Sequence, residues 1–514
     1  MRFTWRSGLP LLLAAYAIPL LLVAWIAPAY LRHRGFPLDD AWIHMVYGRS
    51  LAREGMLAYN PGTPAVGETS PLWAAFLTLP HLLGLAPAGA VLWVKLAGWA
   101  LHVAAAFLVG RALGHLSRGL AWLAFLVILL HPELAAAAMS GMEVPLAEAM
   151  IALQIGSLVQ GRPGWFGLAA LLAPGCRPEV GILAPMLGLG CAPGGHPENR
   201  VRWAGIGLAG AALGYGLLFS RCHLISGSWL PSTYHAKVVP GIYAKSYWMY
   251  RGVYDLLPSL LPLPKVCLLL FIFLLMGLAG FRLARGGEVR PVLMGLAGFV
   301  LLMVCSALSH PLEVQDFYFR RYLLVGLVPV LVAAAFLGEV ATRPLPSWMR
   351  WIFGGGWVLA LVLLWPARFR HLDNDAHNID DVQVELGRSL ARLPAEAGIW
   401  VVDAGAVRYF AKGFVVDLMG LNTPEMLGPN ASAFLAAHPA QVVEVVPGWN
   451  GLDLTGVDRG VVTAREFKPS TPYTITSFQP MAGHSLVTAS KPVHGQVKIR
   501  GKVFPLWLSP LPGN

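Results

Sequence analysis

The sequence predicts an α-helical polytopic membrane protein of about eleven transmembrane helices, followed by a small C-terminal α/β domain outside the cytoplasm. Three observations predict it. Hydrophobic residues make up 56% of the 514-residue chain and charged residues only 13%, against about 25% charged in a soluble domain. Apolar runs long enough to cross a bilayer recur as far as Pro366, with a mean hydropathy of +0.59 over the chain. Beyond Pro366, short β-branched runs alternate with helical patterns. The formal charge of +11 would suit nucleic acid in a soluble protein. In a membrane protein, cytoplasmic loop arginines and a site for anionic phosphate account for it, and nucleic acid is excluded as a partner.

The spans follow in order. Residues 9–31 form the first, behind Arg2 and Arg6 on the inner side; the run is too long for the apolar core of a signal peptide, so it is read as uncleaved. Residues 32–88 make a long outer loop. In it, Asp39 is placed to cap a helix over 40–53, and residues 71–84, apolar but broken by Pro80, lie on or dip into the membrane. Spans near 89–111, 119–133 and 144–160 leave Arg111, Arg118 and Arg162 inside. The run 164–190 is interrupted by Arg177-Pro-Glu179 and reads as one broken span or two short ones. Two is chosen because it keeps Arg200, Arg202, Arg282, Arg285, Arg290, Arg343 and Arg350 inside. The remaining spans fall near 203–220, 264–281, 291–309, 322–341 and 351–366. The N-terminus is then inside and the C-terminus outside. Outer loops also carry cations, among them Arg221 and Arg251, but these loops are long, where the charge rule is weak.

The transmembrane domain is thus residues 1–366 and the soluble domain 367–514. In the latter, 382–393 has helical periodicity, 399–402, 413–417 and 441–446 read as strands, and 404–410 as a short helix. It contains no glycine-rich phosphate fingerprint. The five cysteines have no metal-ligand spacing and imply neither a disulfide framework nor a structural zinc. Usage rich in Ala, Gly, Pro and Arg points to a bacterial source and hence to a cytoplasmic membrane.

Five polar constellations fall on the outer face in this threading. In Phe36-Pro-Leu-Asp-Asp-Ala-Trp-Ile-His44, capping explains one aspartate but not two. Asp40, His44 and Tyr47 share a helix face at i, i+4 and i+7, and a carboxylate beside an imidazole suits proton abstraction from a hydroxyl. In Ser140-Gly-Met-Glu-Val-Pro145, Glu143 either starts a helix as a first-turn acid or serves a site. Arg177 and Glu179 read as an internal ion pair or as cleft residues. Gly227-Ser-Trp-Leu-Pro-Ser-Thr-Tyr-His-Ala-Lys237 has the aromatic and lysine content of a membrane interface. In Asp316-Phe-Tyr-Phe-Arg-Arg-Tyr322, Arg320 and Arg321 offer bidentate forks that suit phosphate, or else snorkel to lipid headgroups.

The first of these, with Tyr59-Asn-Pro-Gly62 and Gly67-Glu-Thr-Ser-Pro-Leu-Trp73 after it, resembles the first extracytoplasmic loop of the GT-C superfamily of integral-membrane glycosyltransferases. It looks most like the bacterial branch that includes the polyprenyl-phosphate-dependent arabinofuranosyltransferases. The other four resemble that branch's Ser-Gly-Leu-Glu-Thr-Pro, Arg-Pro-Glu, Leu-Pro-Asn-Thr-Tyr-Tyr-Ala-Lys and Asp-Trp-x-x-x-x-Arg-Tyr elements. The chain departs at Ser232 and His235, where the family has Asn and Tyr, and at Phe317, where it has Trp. The resemblance covers about residues 1–370, and 371–440 more weakly.

It implies an inverting glycosyltransferase that moves a sugar from a polyprenyl-phosphate donor to a glycan, lipid or protein acceptor outside the cytoplasm. Asp39 or Asp40 would be the base, assisted by His44 and Glu143. Arg177, Glu179, Tyr234, Lys237, Arg320 and Arg321 would bind substrate, the last three holding the donor phosphate. Some members use a divalent metal such as magnesium or manganese near the first-loop carboxylates; Asp39, Asp40 and Glu143 have the hard oxygens for it, and metal dependence stays open. The C-terminal domain would serve acceptor recognition or support, with Asp403 and Asp417 as turn residues. Two other classes compete. A lipid or solute transporter would place its polar residues at midplane in inverted halves, a pattern this chain lacks. A catalytically silent scaffold would have no use for paired aspartates.

Overall fold

The computed structural model describes residues 35–193, 196–237, 289–308, 317–440, 442–444, 452–453, 463–464, 480–487 and 503–507. The expected spans at 9–31 and 264–281, together with Asp316 and the side chains of Lys237 and Arg320, lie outside the described residues. The chain divides into two compact units. One is Met1–Arg32, Trp93–Leu218 and Val238–Arg370; the other is His33–Leu92, Phe219–Lys237 and His371–Asn514.

The first unit is helical. Among the described residues three helices are long and apolar enough to cross a membrane: Pro87–Leu113, Pro197–Ser226 and Ser347–His377. A fourth candidate is the pair Arg118–Leu129 and Pro132–Ala138, bent by 57°. Pro132 lacks the N–H that would continue the first helix and instead opens the second. Shorter apolar helices are Val144–Val159, Pro163–Cys176, Pro178–Cys191, Arg290–Leu302 and Leu327–Thr342. They coincide with stretches read as spans. The break after Cys176 follows from sequence: a residue before proline is driven out of the helical region, and Arg177 has φ −156° and ψ 129°.

Small residues hold these helices together, as expected where lipid removes the hydrophobic incentive between them. A Cβ on Gly298 would sit 2.8 Å from Pro329 and 2.9 Å from the Gly326 carbonyl. One on Gly207 would come within 2.8 Å of the Ala184 backbone. Polar pins add to this: Trp365 Nε1 donates to the Leu130 carbonyl at 2.8 Å, and Arg368 pairs with Glu133 at 3.1 Å.

The second unit joins first-loop residues to C-terminal ones. The first-loop helix spans Asp39–Glu54 and ends on Gly55, whose φ of 71° is the left-handed stop that glycine tolerates. A short hairpin, Ala58–Asn60 with Thr63–Pro64, and two short helices, Pro71–Phe76 and Thr78–Leu82, follow. The C-terminal part contains a parallel sheet in the order Phe414–Asp417, Gly398–Val401, Val442–Val443, its inward Ile399, Val401 and Val415 fully buried. Short helix Ala406–Phe410 lies between the first two strands in sequence.

The core of this unit is shared. Trp42 packs on Tyr409 and Phe410 at 4.8 and 5.2 Å between ring centroids. Asn60 takes the place of a strand neighbour for Val415, donating to its carbonyl at 2.8 Å and accepting its N–H at 3.0 Å. Buried Arg408 donates to the Tyr59 carbonyl at 2.8 Å. The first loop therefore owes its shape to residues more than 340 positions away.

Candidate functional site

The first-loop helix begins one residue earlier than the capping pattern suggests. Leu38 occupies the N-cap position, extended and without a side-chain cap, and both aspartates fall in the first turn. Asp39 caps a different helix. Its carboxylate accepts the Gly405 N–H at 2.6 Å and the Ala406 N–H at 2.8 Å, the open amino end of Ala406–Phe410, where a negative charge is favoured. Gly405 is needed for this approach, since a Cβ there would lie 2.8 Å from Asp39 Oδ2. Both Asp39 oxygens are thereby engaged.

Asp40, 9% exposed, follows in a strongly acidic setting. Burial, and then the charges of Asp403 and Asp40, push the Asp39 carboxyl well above the usual range, against the pull of its two N–H donors. Asp403 is pushed up to about 6 by burial and by Asp40's charge, opposed by its hydrogen bond from Gln383 at 2.7 Å. Glu444 is raised by burial and by Asp403, although it accepts the Val402 and Asp403 N–H groups at 2.7 and 3.0 Å. Acids so arranged hold protons that isolated carboxylates would have released.

A pH dependence follows. A carboxyl whose folded pKa exceeds its unfolded value binds more protons in the native state, so its contribution is complete below the unfolded value and lost as pH rises. For Asp403 that window runs from 3.8 to about 6, and Asp39 and Glu444 act in the same direction. Thermal unfolding of the purified chain should lose stability across this window, and Asp403→Asn should flatten the decline. An unchanged profile in the variant would remove Asp403 as its source.

His44 lies on the next turn and donates from Nδ1 to buried Glu68 at 2.9 Å. Glu68, 1% exposed, also accepts the Ser70 N–H at 2.6 Å. The sequence pattern assigns Glu68 no role within Gly67-Glu-Thr-Ser70; an acid two residues before a helix-opening serine is the signal that marks it. Tyr47 donates to Asn422 Oδ1 at 3.0 Å. Tyr234, on the short helix Ser232–Lys237, is partly buried with its ring edge-on to His235 at 5.7 Å.

In the helical unit three constellations that were separate in the sequence come together. Arg177, 3% exposed, donates from Nη1 to Glu143 at 2.6 Å and from Nε to Glu179 at 2.7 Å. Its guanidinium stands 4.8 Å from the Tyr322 ring centre. Arg321 reaches the same ring at 5.0 Å, donating to the Tyr322 hydroxyl at 3.1 Å and to Met142 Sδ at 3.5 Å. Arg177 and Glu179 are thus an ion pair as one reading held, with Glu143 as a third member. Among the described residues no group of three or more His, Cys, Asp or Glu side chains is arranged to hold a metal ion.

Residues 377–484 match a family described as a domain of unknown function (DUF8728). No curated protein matches the sequence. Among solved structures, ArnT from Cupriavidus metallidurans in the apo state aligns at 14% identity over 85% of this chain and 93% of that one, with a TM-score of 0.54. The same protein bound to undecaprenyl phosphate aligns at 12% identity over 84% and 93%, with a TM-score of 0.50. The archaeal oligosaccharyltransferase AglB from Archaeoglobus fulgidus, in complex with an inhibitory peptide and a dolichol-phosphate, gives 11% identity over 86% and 70%, and a TM-score of 0.46. With its apolar helices and this likeness over nearly the whole of ArnT, the chain is a multi-pass membrane protein that shares the fold of ArnT.

Proposed function

We propose that the chain is a glycosyltransferase that moves a sugar from a polyprenyl-phosphate carrier to an acceptor outside the cytoplasm, with Asp40 as its base. The observation that carries this reading is the paired acid at the start of the first-loop helix on a GT-C-like fold. Asp40 is assigned the chemistry because it shares a helix face with His44 and Tyr47, whereas Asp39 accepts the Gly405 and Ala406 N–H groups. The bound lipid of the ArnT structure supports a polyprenyl-phosphate donor.

In the proposed reaction Asp40 takes the proton of an acceptor hydroxyl as its oxygen attacks the anomeric carbon. The bond from that carbon to the phosphate oxygen breaks, the configuration inverts, and polyprenyl phosphate leaves with the electron pair. A phosphate leaving group needs little protonation, so a single base suffices. Lys237, Arg320 and Arg321 are assigned to the charge that develops on the leaving phosphate, and His44, held by Glu68, to positioning. Lipid analysis of a strain lacking the gene tests this. It should accumulate a polyprenyl-phosphate sugar that the wild-type gene clears and the Asp40→Asn gene does not. An unchanged lipid profile would overturn the donor assignment.

A further inference from the structure

A cavity of about 320 Å³ opens in the second unit between the far half of the first-loop helix and residues 408–412. That is the lower end of the range for ligand pockets, about 300–1,000 Å³. Its charged lining is Arg49, Arg53, Arg408 and Lys412 against Glu54 alone. Arg49 and Arg53 share a helix stripe with Val46 and Ser50, whereas Asp40 is nine residues from Arg49, which at 3.6 residues per turn is about half a turn around the axis. The cavity therefore belongs to a different face from the Asp40, His44 and Tyr47 row.

The cations are not there to neutralise acids. Buried Arg408 gives its donors to backbone carbonyls, those of Tyr59, Ala411 and Gly413, at 2.8, 3.1 and 3.2 Å. Arg49 donates to the Tyr409 and Arg408 carbonyls and lies over the Tyr409 ring at 4.5 Å. Neither has a carboxylate within ion-pairing distance among the described residues. Their charges oppose one another: burial first, and then Arg408 and Arg53, lower Arg49 to about 10. Four cations gathered around a single carboxylate, Glu54, cost stability unless a further anion joins them.

We propose that this cavity is a binding site for a phosphate-bearing group, separate from the reaction site, with Arg53 and Lys412 at its mouth and Arg49 beneath. Arginine forks match phosphate oxygens bidentately, and a lysine adds a mobile point charge. The phosphate is that of a lipid headgroup or of a soluble ester; both present the same chemistry to the pocket.

The full-length chain in phosphatidylcholine nanodiscs, titrated with inorganic phosphate at constant ionic strength, tests the site by calorimetry. Exposed Arg53 and Lys412 allow Arg53→Ser with Lys412→Ser at little risk to folding, which a thermal unfolding curve verifies. The wild type should bind phosphate saturably, and the double variant at least tenfold more weakly. A second series in discs containing phosphatidylglycerol separates the sources. Phosphatidylglycerol that competes with phosphate in the wild type alone supports the site with a headgroup as occupant; phosphate binding without such competition supports it with a soluble ester. Equal phosphate binding in wild type and double variant, or no saturable response to either probe, would overturn the proposal.

Discussion

Replacing Asp40 with asparagine is expected to lower sugar transfer about 10²–10⁴-fold, the usual contribution of a positioned general base, while thermal unfolding stays near that of the wild type. Asparagine keeps the size of the side chain and its place in the first helical turn, so only the proton acceptor is lost. Asp39→Asn should do the reverse. An amide has one acceptor oxygen where Gly405 and Ala406 require two, and its NH₂ would face a backbone N–H. The expected cost is about 1–3 kcal/mol of stability, as for a buried donor left unsatisfied, with transfer falling only as far as the fold does. Kinetics and unfolding measured side by side decide the assignment. A stable Asp39→Asn variant without transfer, beside an active Asp40→Asn, would exchange the two roles.

The second large effect lies at Arg177. Arg177→Met removes the guanidinium that faces Glu143 and Glu179, both beside it in a buried setting. Removing one partner of a buried ion pair costs about 3–5 kcal/mol, because a charge is left uncompensated. Thermal unfolding in detergent should show that loss, and Arg177→Lys should recover only part of it, since lysine cannot reach both acids with a planar fork. Adding Glu143→Gln and Glu179→Gln to Arg177→Met should restore stability by removing the stranded charges. A fall below 1 kcal/mol in Arg177→Met would mean that water or another cation already serves these acids.

Sequence reasoning reached what is encoded locally. Helical periodicity placed the first-loop helix at 40–53, against an observed Asp39–Glu54, and β-branched runs located strands that the structure sets at Gly398–Val401 and Phe414–Asp417. The break at Arg177 was legible because proline restricts the residue before it. The Arg177–Glu179 pair was legible because its members are two positions apart in the chain. That Glu143 completes it was not, because 34 positions separate it from Arg177. The local pattern makes Asp39 a cap for its own helix, whereas its partners lie 366 and 367 positions away. Nothing in a local pattern announces such a contact. The same holds for the cationic cavity: Arg49 and Arg53 look like a solvated helix face, and Arg408 and Lys412 like an ordinary loop, until the fold sets them around one space.

On the proposed reading, Asp40 serves the breaking of a sugar–phosphate bond. The direct measurement is release of free polyprenyl phosphate by the purified full-length chain, reconstituted with the polyprenyl-phosphate sugar extracted from the deletion strain and an envelope acceptor fraction. Wild type should release the lipid phosphate in step with labelled sugar entering the acceptor, and Asp40→Asn should leave the donor intact. Donor unchanged by the wild type, or consumed equally by both proteins, would contradict it.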